Sequence, residues 1–251
     1  MKRARIMFFM ATGAFALSGF SFNSNALAIA SSDPDEIRHI KVSRVFTPKG
    51  LDSNDNSVVI LDGYLPDGCY RLTQPVVQVN DELKTISIQA RAYYFNVPCI
   101  EALVPYTQEI ELGMLTGGNY RIENGEGHQI GSLAVKKAQS KYPDDFLYAP
   151  VEELILDQKE TAPNQHVATI RGRFTNSCMY IDHVDTKYFP DTVEILPVMA
   201  IRKGNCADVE IPFSLDVELD ASRLTPGRML VHTRSLNGRS VSSILNVSEN
   251  F

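Results

Sequence analysis

Val104-Pro-Tyr-Thr-Gln-Glu-Ile-Glu-Leu112 returns later in the chain as Ile211-Pro-Phe-Ser-Leu-Asp-Val-Glu-Leu219, 107 residues on. Thr85 with Thr192 and Cys99 with Cys206 keep that offset, while Gly63 with Gly172, Cys69 with Cys178 and Leu115 with Leu224 are 109 apart. A repeat of this length is a domain rather than a solenoid unit, whose period runs about 20–50 residues. The 251-residue chain therefore reads as one fold used twice. Each copy is long enough to bury a core of its own.

The period of the repeat is two. Thr85-Ile-Ser-Ile-Gln-Ala-Arg-Ala-Tyr-Tyr-Phe95 alternates, as does Thr192-Val-Glu-Ile195, and the opening pair sets acids between apolar residues. Ser57-Val-Val-Ile-Leu-Asp-Gly-Tyr-Leu65 and His166-Val-Ala-Thr-Ile-Arg-Gly-Arg-Phe174 are β-branched runs that end in Pro66-Asp-Gly and Thr175-Asn-Ser, which are turn chemistry. The first copy yields seven strands near 41–47, 57–65, 69–78, 84–95, 106–112, 118–124 and 129–136. Seven short strands at this spacing predict an all-β protein of two tandem immunoglobulin-like or fibronectin-III-like β-sandwich domains. The expected boundaries are 31–137 and 151–251, with 138–150 as linker. Ser132 to Lys141 could instead wind two or three helical turns, but a last strand is the better reading.

Two cysteines fall in each copy. Four cysteines permit three pairings, and a duplicated unit that folds alone selects Cys69–Cys99 and Cys178–Cys206. Closing loops of this length stabilises each domain by roughly 3–4 kcal/mol in the chain-entropy model. Such bonds persist in exported proteins. Gly63-Tyr-Leu-Pro-Asp-Gly-Cys-Tyr-Arg-Leu72, the second cysteine, Val-Pro-Tyr106 and Gly118-Asn-Tyr-Arg-Ile-Glu-Asn-Gly125 together resemble an immunoglobulin-like domain of uncharacterised exported bacterial proteins. The resemblance implies a sandwich and an envelope location, and it carries no activity. The chain has no Trp, unlike antibody domains, whose buried Trp packs on the inter-sheet bridge.

Lys2, Arg3 and Arg5 precede an apolar run from Ile6 to Phe20, and Ala26-Leu-Ala28 and Ala28-Ile-Ala30 have the small-x-small form of a cleavage site. Residues 1–30 are thus expected to be a cleaved signal peptide, cut after Ala28 or Ala30, with export to the periplasm or beyond. No cysteine lies near the cut, so a lipid anchor is not expected, and no later stretch is apolar enough to span a membrane. Without residues 1–30 the chain keeps 21 Lys and Arg against 30 Asp and Glu, a formal charge of −9. That balance disfavours nucleic acid and anionic lipid as partners.

Motifs for chemistry are sparse. Gly238-Arg-Ser-Val-Ser242 lacks the last glycine of a nucleophile elbow. The five histidines, His39, His128, His166, His183 and His232, form no metal motif and read as scattered surface residues. Asp52-Ser-Asn-Asp-Asn-Ser57 has oxygen ligands at positions 1, 3 and 5 of a calcium loop, but lacks its glycine and its final Glu, so a polar turn is preferred. Gly125-Glu-Gly-His-Gln-Ile-Gly131 precedes a strand rather than a helix and reads as a hairpin loop rather than a phosphate cradle. Glu109, Glu111, Asp216 and Glu218 read as a solvent-facing acidic edge. No catalytic residue, metal or cofactor is expected.

What remains is aromatic. Tyr93, Tyr94, Phe95 and Tyr106 flank Cys99 in the first copy, and at least one of three consecutive aromatics should reach the surface as an interface residue. The stretches 66–69, 93–98 and 138–150 are the favoured sites. The expectation is a non-enzymatic binding or structural module of the cell envelope that recognises a protein or glycan. A peptidase inhibitor acting through 93–98 is the alternative, and a carbohydrate hydrolase a lesser one.

Overall fold

Alternation has become strand throughout. The computed structural model describes residues 34–142, 146–158 and 165–248; the basic-apolar start at 1–30 and Pro143-Asp-Asp145 lie outside them. The first half holds β1 (Glu36–His39), β2 (Val42–Phe46), β3 (Asn56–Leu65), β4 (Tyr70–Leu72), β5 (Val76–Asn80), β6 (Thr85–Gln89), β7 (Arg91–Tyr94), β8 (Val104–Met114), β9 (Gly118–Asn124) and β10 (Gln129–Val135). The second half holds β11 (Val151–Gln158), β12 (His166–Phe174), β13 (Met179–Tyr188), β14 (Thr192–Ile201), β15 (Ile211–Leu219), β16 (Gly227–Ser235) and β17 (Arg239–Val247). A single 3-10 turn, Ala221–Arg223, capped by the Asp220 side chain, is the one helical element among the described residues.

Each half is a sandwich. In the second, a three-stranded sheet ordered β11-β12-β15 faces a four-stranded sheet ordered β13-β14-β16-β17. In the first, β2-β3-β8 faces β10-β9-β6-β5, and β1-β7-β4 continues that second layer past a bend. The cores follow the alternation. Val59, Leu61, Ile86, Ile88, Tyr120, Ile122 and Leu133 close the first, and Ala168, Ile170, Val193, Ile195, Met229 and Val231 the second. One feature departs from an immunoglobulin sandwich, whose sheets are antiparallel. β6 runs parallel to β9, and β14 parallel to β16, in matching registers: Thr85 opposite Arg121 and Thr192 opposite Leu230. The third long strand of each copy therefore lies at the sheet edge.

Two long strands of the first copy are broken where those of the second run through. Pro75, which has no N–H to give to a ladder, separates β4 from β5, and the chain breaks again at Ala90. At the equivalent place β13 carries only a bulge between Ile181 and His183. Residues 132–135 are strand, not helix, and Gly125–Gly131 spans the β9–β10 hairpin. Strand pairing also reaches into the stretch read as linker. The Ala149 N–H bonds the Pro197 carbonyl, and the Met199 N–H bonds Leu147.

Ladder register explains two landmarks of the repeat. Gly63 lies directly opposite Tyr106, and Gly172 opposite Phe213. A Cβ on Gly63 would sit 2.8 Å from the Tyr106 ring, and one on Gly172 would sit 2.8 Å from the Phe213 ring and 2.0 Å from the Pro150 carbonyl. The glycine leaves its face of the sheet bare so that the aromatic of the Pro-aromatic pair can lie across it.

Candidate functional site

At one end of the first sandwich, the Cys69–Cys99 bridge, Cα–Cα 5.5 Å, ties β4 to the segment after β7. The Phe95 N–H bonds the Cys69 carbonyl at 3.0 Å and the Gly68 N–H bonds Ile100 at 2.9 Å, so the loop between is held at both ends. On it Val97 is exposed, and Ile100 at its far end is 76 % exposed; Leu103, 68 % exposed, and Val104 follow as the chain enters β8. Ile37, opposite Tyr93 on β1, is exposed as well. Several bare aliphatic groups on one tethered loop, and on the strand beside it, are what an interface uses rather than what a solvated turn needs.

The aromatics expected at this surface are only partly on it. Tyr93, Tyr94 and Phe95 are all half-buried. Tyr94 packs tilted on Tyr70 at 5.2 Å, and the Arg38 guanidinium lies 3.5 Å from its ring centroid. Tyr106, 5 % exposed, is a core residue whose hydroxyl donates to the Lys41 carbonyl at 3.0 Å. Burial, helped by the Asp62 charge, pushes that hydroxyl up to about 12. Tyr106 thus offers no surface to a partner, because the ring is spent covering Gly63. The aliphatic residues that replace it, Ile100 and Leu103, carry no period in the sequence, and their only signal was adjacency to a bridged cysteine. The second bridge, Cys178–Cys206, Cα–Cα 5.3 Å, tethers a loop of different character, beginning Arg202-Lys203.

The acidic loop has a structural task. Asp55 is fully buried, holds the Asp52 N–H at 2.6 Å and receives the Arg234 guanidinium from the other sandwich. The Asn56 N–H bonds the Gly238 carbonyl at 2.8 Å, so the β16–β17 turn, with Asn237 and Gly238 both left-handed, is seated in this loop. From there a seam runs between the halves. Val58 and Ile60 on the outer face of β3, with Phe46, pack on Leu230, and Ile244 joins them. Arg228 then closes on Asp62 with two bonds, at 2.6 and 3.0 Å. His232 is fully buried on the same strand, and its Nδ1 lies 3.1 Å from the Ser242 hydroxyl. Burial, and the nearby Arg234 charge, lower its pKa to about 3. The expectation of surface histidines thus fails for His232 and for His166, which is 3 % exposed.

The acids of the strand pair are divided between the halves. Asp216 accepts from the Thr169 hydroxyl at 2.7 Å and Glu218 from Gln165 at 2.9 Å, on β15, whereas Glu109 and Glu111 lie on β8. Near the seam's other end a cavity of about 200 Å3 opens beside Gly50 and Tyr148.

Residues 59–135 match the model of the ORF11 beta-sandwich domain. That span runs from β3 through β10 and agrees with the sandwich seen in the first half. It does not extend to the finer likeness to exported bacterial immunoglobulin-like domains. Neither a curated protein nor a solved structure matches the chain. Among the described residues no helix is long and apolar enough to cross a membrane.

Proposed function

We propose that this protein is a non-enzymatic binding module of the cell envelope that takes a protein partner at the Cys69–Cys99 end of its first sandwich. The observation carrying this is the aliphatic loop: Val97 and Ile100 exposed on a segment fixed by a disulfide and two main-chain bonds, with exposed Leu103 just beyond it. Apolar side chains on a rigid support keep the entropy cost of association low. They also favour a protein surface over a glycan, which would ask for exposed aromatic faces and hydrogen bonds. The second sandwich, docked over the seam, acts as a brace.

The test places a photo-crosslinking amino acid at position 100 or, as a control, at position 183 on the far sandwich, in the source cell's envelope. One adduct that forms from position 100, is absent from position 183, and disappears when Leu103→Glu is added supports the reading. Equal labelling from both positions sinks it. A second reading is favoured by the same tethering: a loop pinned on both sides of Val97-Pro98 resembles an inhibitory loop. Titration against a panel of secreted peptidases decides it. Slowed turnover that is lost in Val97→Asp supports inhibition, and unaltered turnover throughout removes it.

A further inference from the structure

The cavity at the end of the seam is charged in an unbalanced way. Lys136 and Lys137 reach it from the first sandwich, Lys187 and Arg234 from the second, and Asp52 and Glu194 share its walls. The carboxylates are engaged already. Asp52 holds the Asn54 N–H at 2.8 Å, and Glu194, 2 % exposed, has the Lys187 ammonium 3.6 Å away. Arg234 is spoken for at two of its nitrogens, by the Gly50 carbonyl at 3.2 Å and by Asp55. Its third, Nε, is buried with no acceptor. Lys136 and Lys137 are exposed, and neither lies within ion-pair distance of a carboxylate among the described residues, although the Lys136 charge also acts on Glu194. Counting Asp55 with its partner, four cations meet three carboxylates. One positive charge is left over, in a chain whose formal net charge is −6.

A buried donor without an acceptor, beside two exposed ammonium groups and one surplus positive charge, is an incomplete arrangement that a negatively charged acceptor would complete. We propose that this cavity binds a small oxyanion, a carboxylate or a phosphate, held by the Lys136 and Lys137 ammonium groups and by the Arg234 Nε–H. Because its ligands come from both halves, the bound anion fastens them together, and its binding is linked to the stability of the whole chain. The site is independent of the Cys69–Cys99 end, and either proposal can fail without the other.

The experiment is thermal unfolding of the full chain at pH 7 in sodium chloride, sodium phosphate or sodium acetate at matched ionic strength, with calorimetric titration of the same anions. A saturable rise in midpoint with phosphate or acetate, matched by a one-site isotherm, is expected. Both should be lost in Lys136→Gln/Lys137→Gln, whose midpoint in chloride stays within about 3 °C of the parent, as for exposed side chains. Phosphate alone acting identifies a phosphate ligand, and acetate alone a carboxylate. If neither binds in the titration, or if both anions shift parent and variant equally, the cavity holds water and the proposal is overturned.

Discussion

Gly172 shows how a single missing methyl sets a local structure. Its strand-neighbour Phe213 stacks on Phe174 at 4.6 Å between ring centroids and covers the bare backbone of β12. Gly172→Ala should lower stability by about 3 kcal/mol, at the upper end of overpacking costs, because the first clash is with the Pro150 main chain, which has little room to give. Chemical denaturation with unchanged slope checks it. The sequence marked this glycine as a landmark of the repeat without revealing its partner, since the aromatic lies 41 positions away and only the register joins them. His232 makes a second prediction. Its folded pKa lies below the unfolded value, so its neutral form is favoured in the native state. Its contribution is intact above about pH 6.5 and is lost as pH falls towards 3, at roughly 1.4 kcal/mol per unit. Glu194, raised by burial, works in the opposite sense and offsets part of the loss. His232→Gln should therefore flatten the fall in melting temperature between pH 7 and 5, and an unchanged slope would assign the acid sensitivity elsewhere.

At the level of strands, period-two alternation told which residues face a core, and it told this well: the expected spans near 57–65, 118–124 and 129–136 lie within a residue or so of β3, β9 and β10. It could not tell partner order. Nothing local distinguishes a strand that pairs with its sequence neighbour from one that runs parallel to a strand 36 residues on, as β6 does with β9. Nor did it find β1, because Glu36-Ile-Arg-His39 has a single apolar residue and owes its conformation to pairing with β7. The bridges were legible for a different reason, since duplication removes the ambiguity that four cysteines otherwise leave. Replacing Cys178 and Cys206 by Ser should cost about 3 kcal/mol, read as a lower midpoint under oxidising conditions that reducing agent does not lower further for that bridge.

The two halves form a single folded body through unlike faces. Arg228→Ala would leave the buried Asp62 without its partner, and a loss of about 3 kcal/mol is expected, with calorimetry of the parent giving one transition and the variant tending towards two. The acidic loop, read from the sequence as a polar turn, and His232, read as a surface residue, are both buried at the seam: Asp55 receives Arg234 across it, and His232 lies on the strand that carries Arg228 and Leu230 to it. The registers make the divergence plain. Ile60 and Asp62 in the first copy are Thr169 and Arg171 in the second, and Leu230 and His232 in the second are Arg121 and Glu123 in the first. Contact between unlike faces of like units has no intrinsic stopping point, since each added unit presents the same free face again and a filament results. Charge on both outer faces opposes such growth here. The face that would receive a third unit carries Arg171 paired with Glu153 and Arg173 with Glu152, and the face that would enter a preceding one carries Arg121 paired with Glu123. Placing Ile at 169 and Asp at 171, with Arg at 119, Leu at 121 and His at 123 so that the new Asp meets an Arg as Asp62 meets Arg228, should turn the protein into a concentration-dependent polymer by sedimentation, the charges on its two outer faces then being what opposes an assembly that the duplication makes possible.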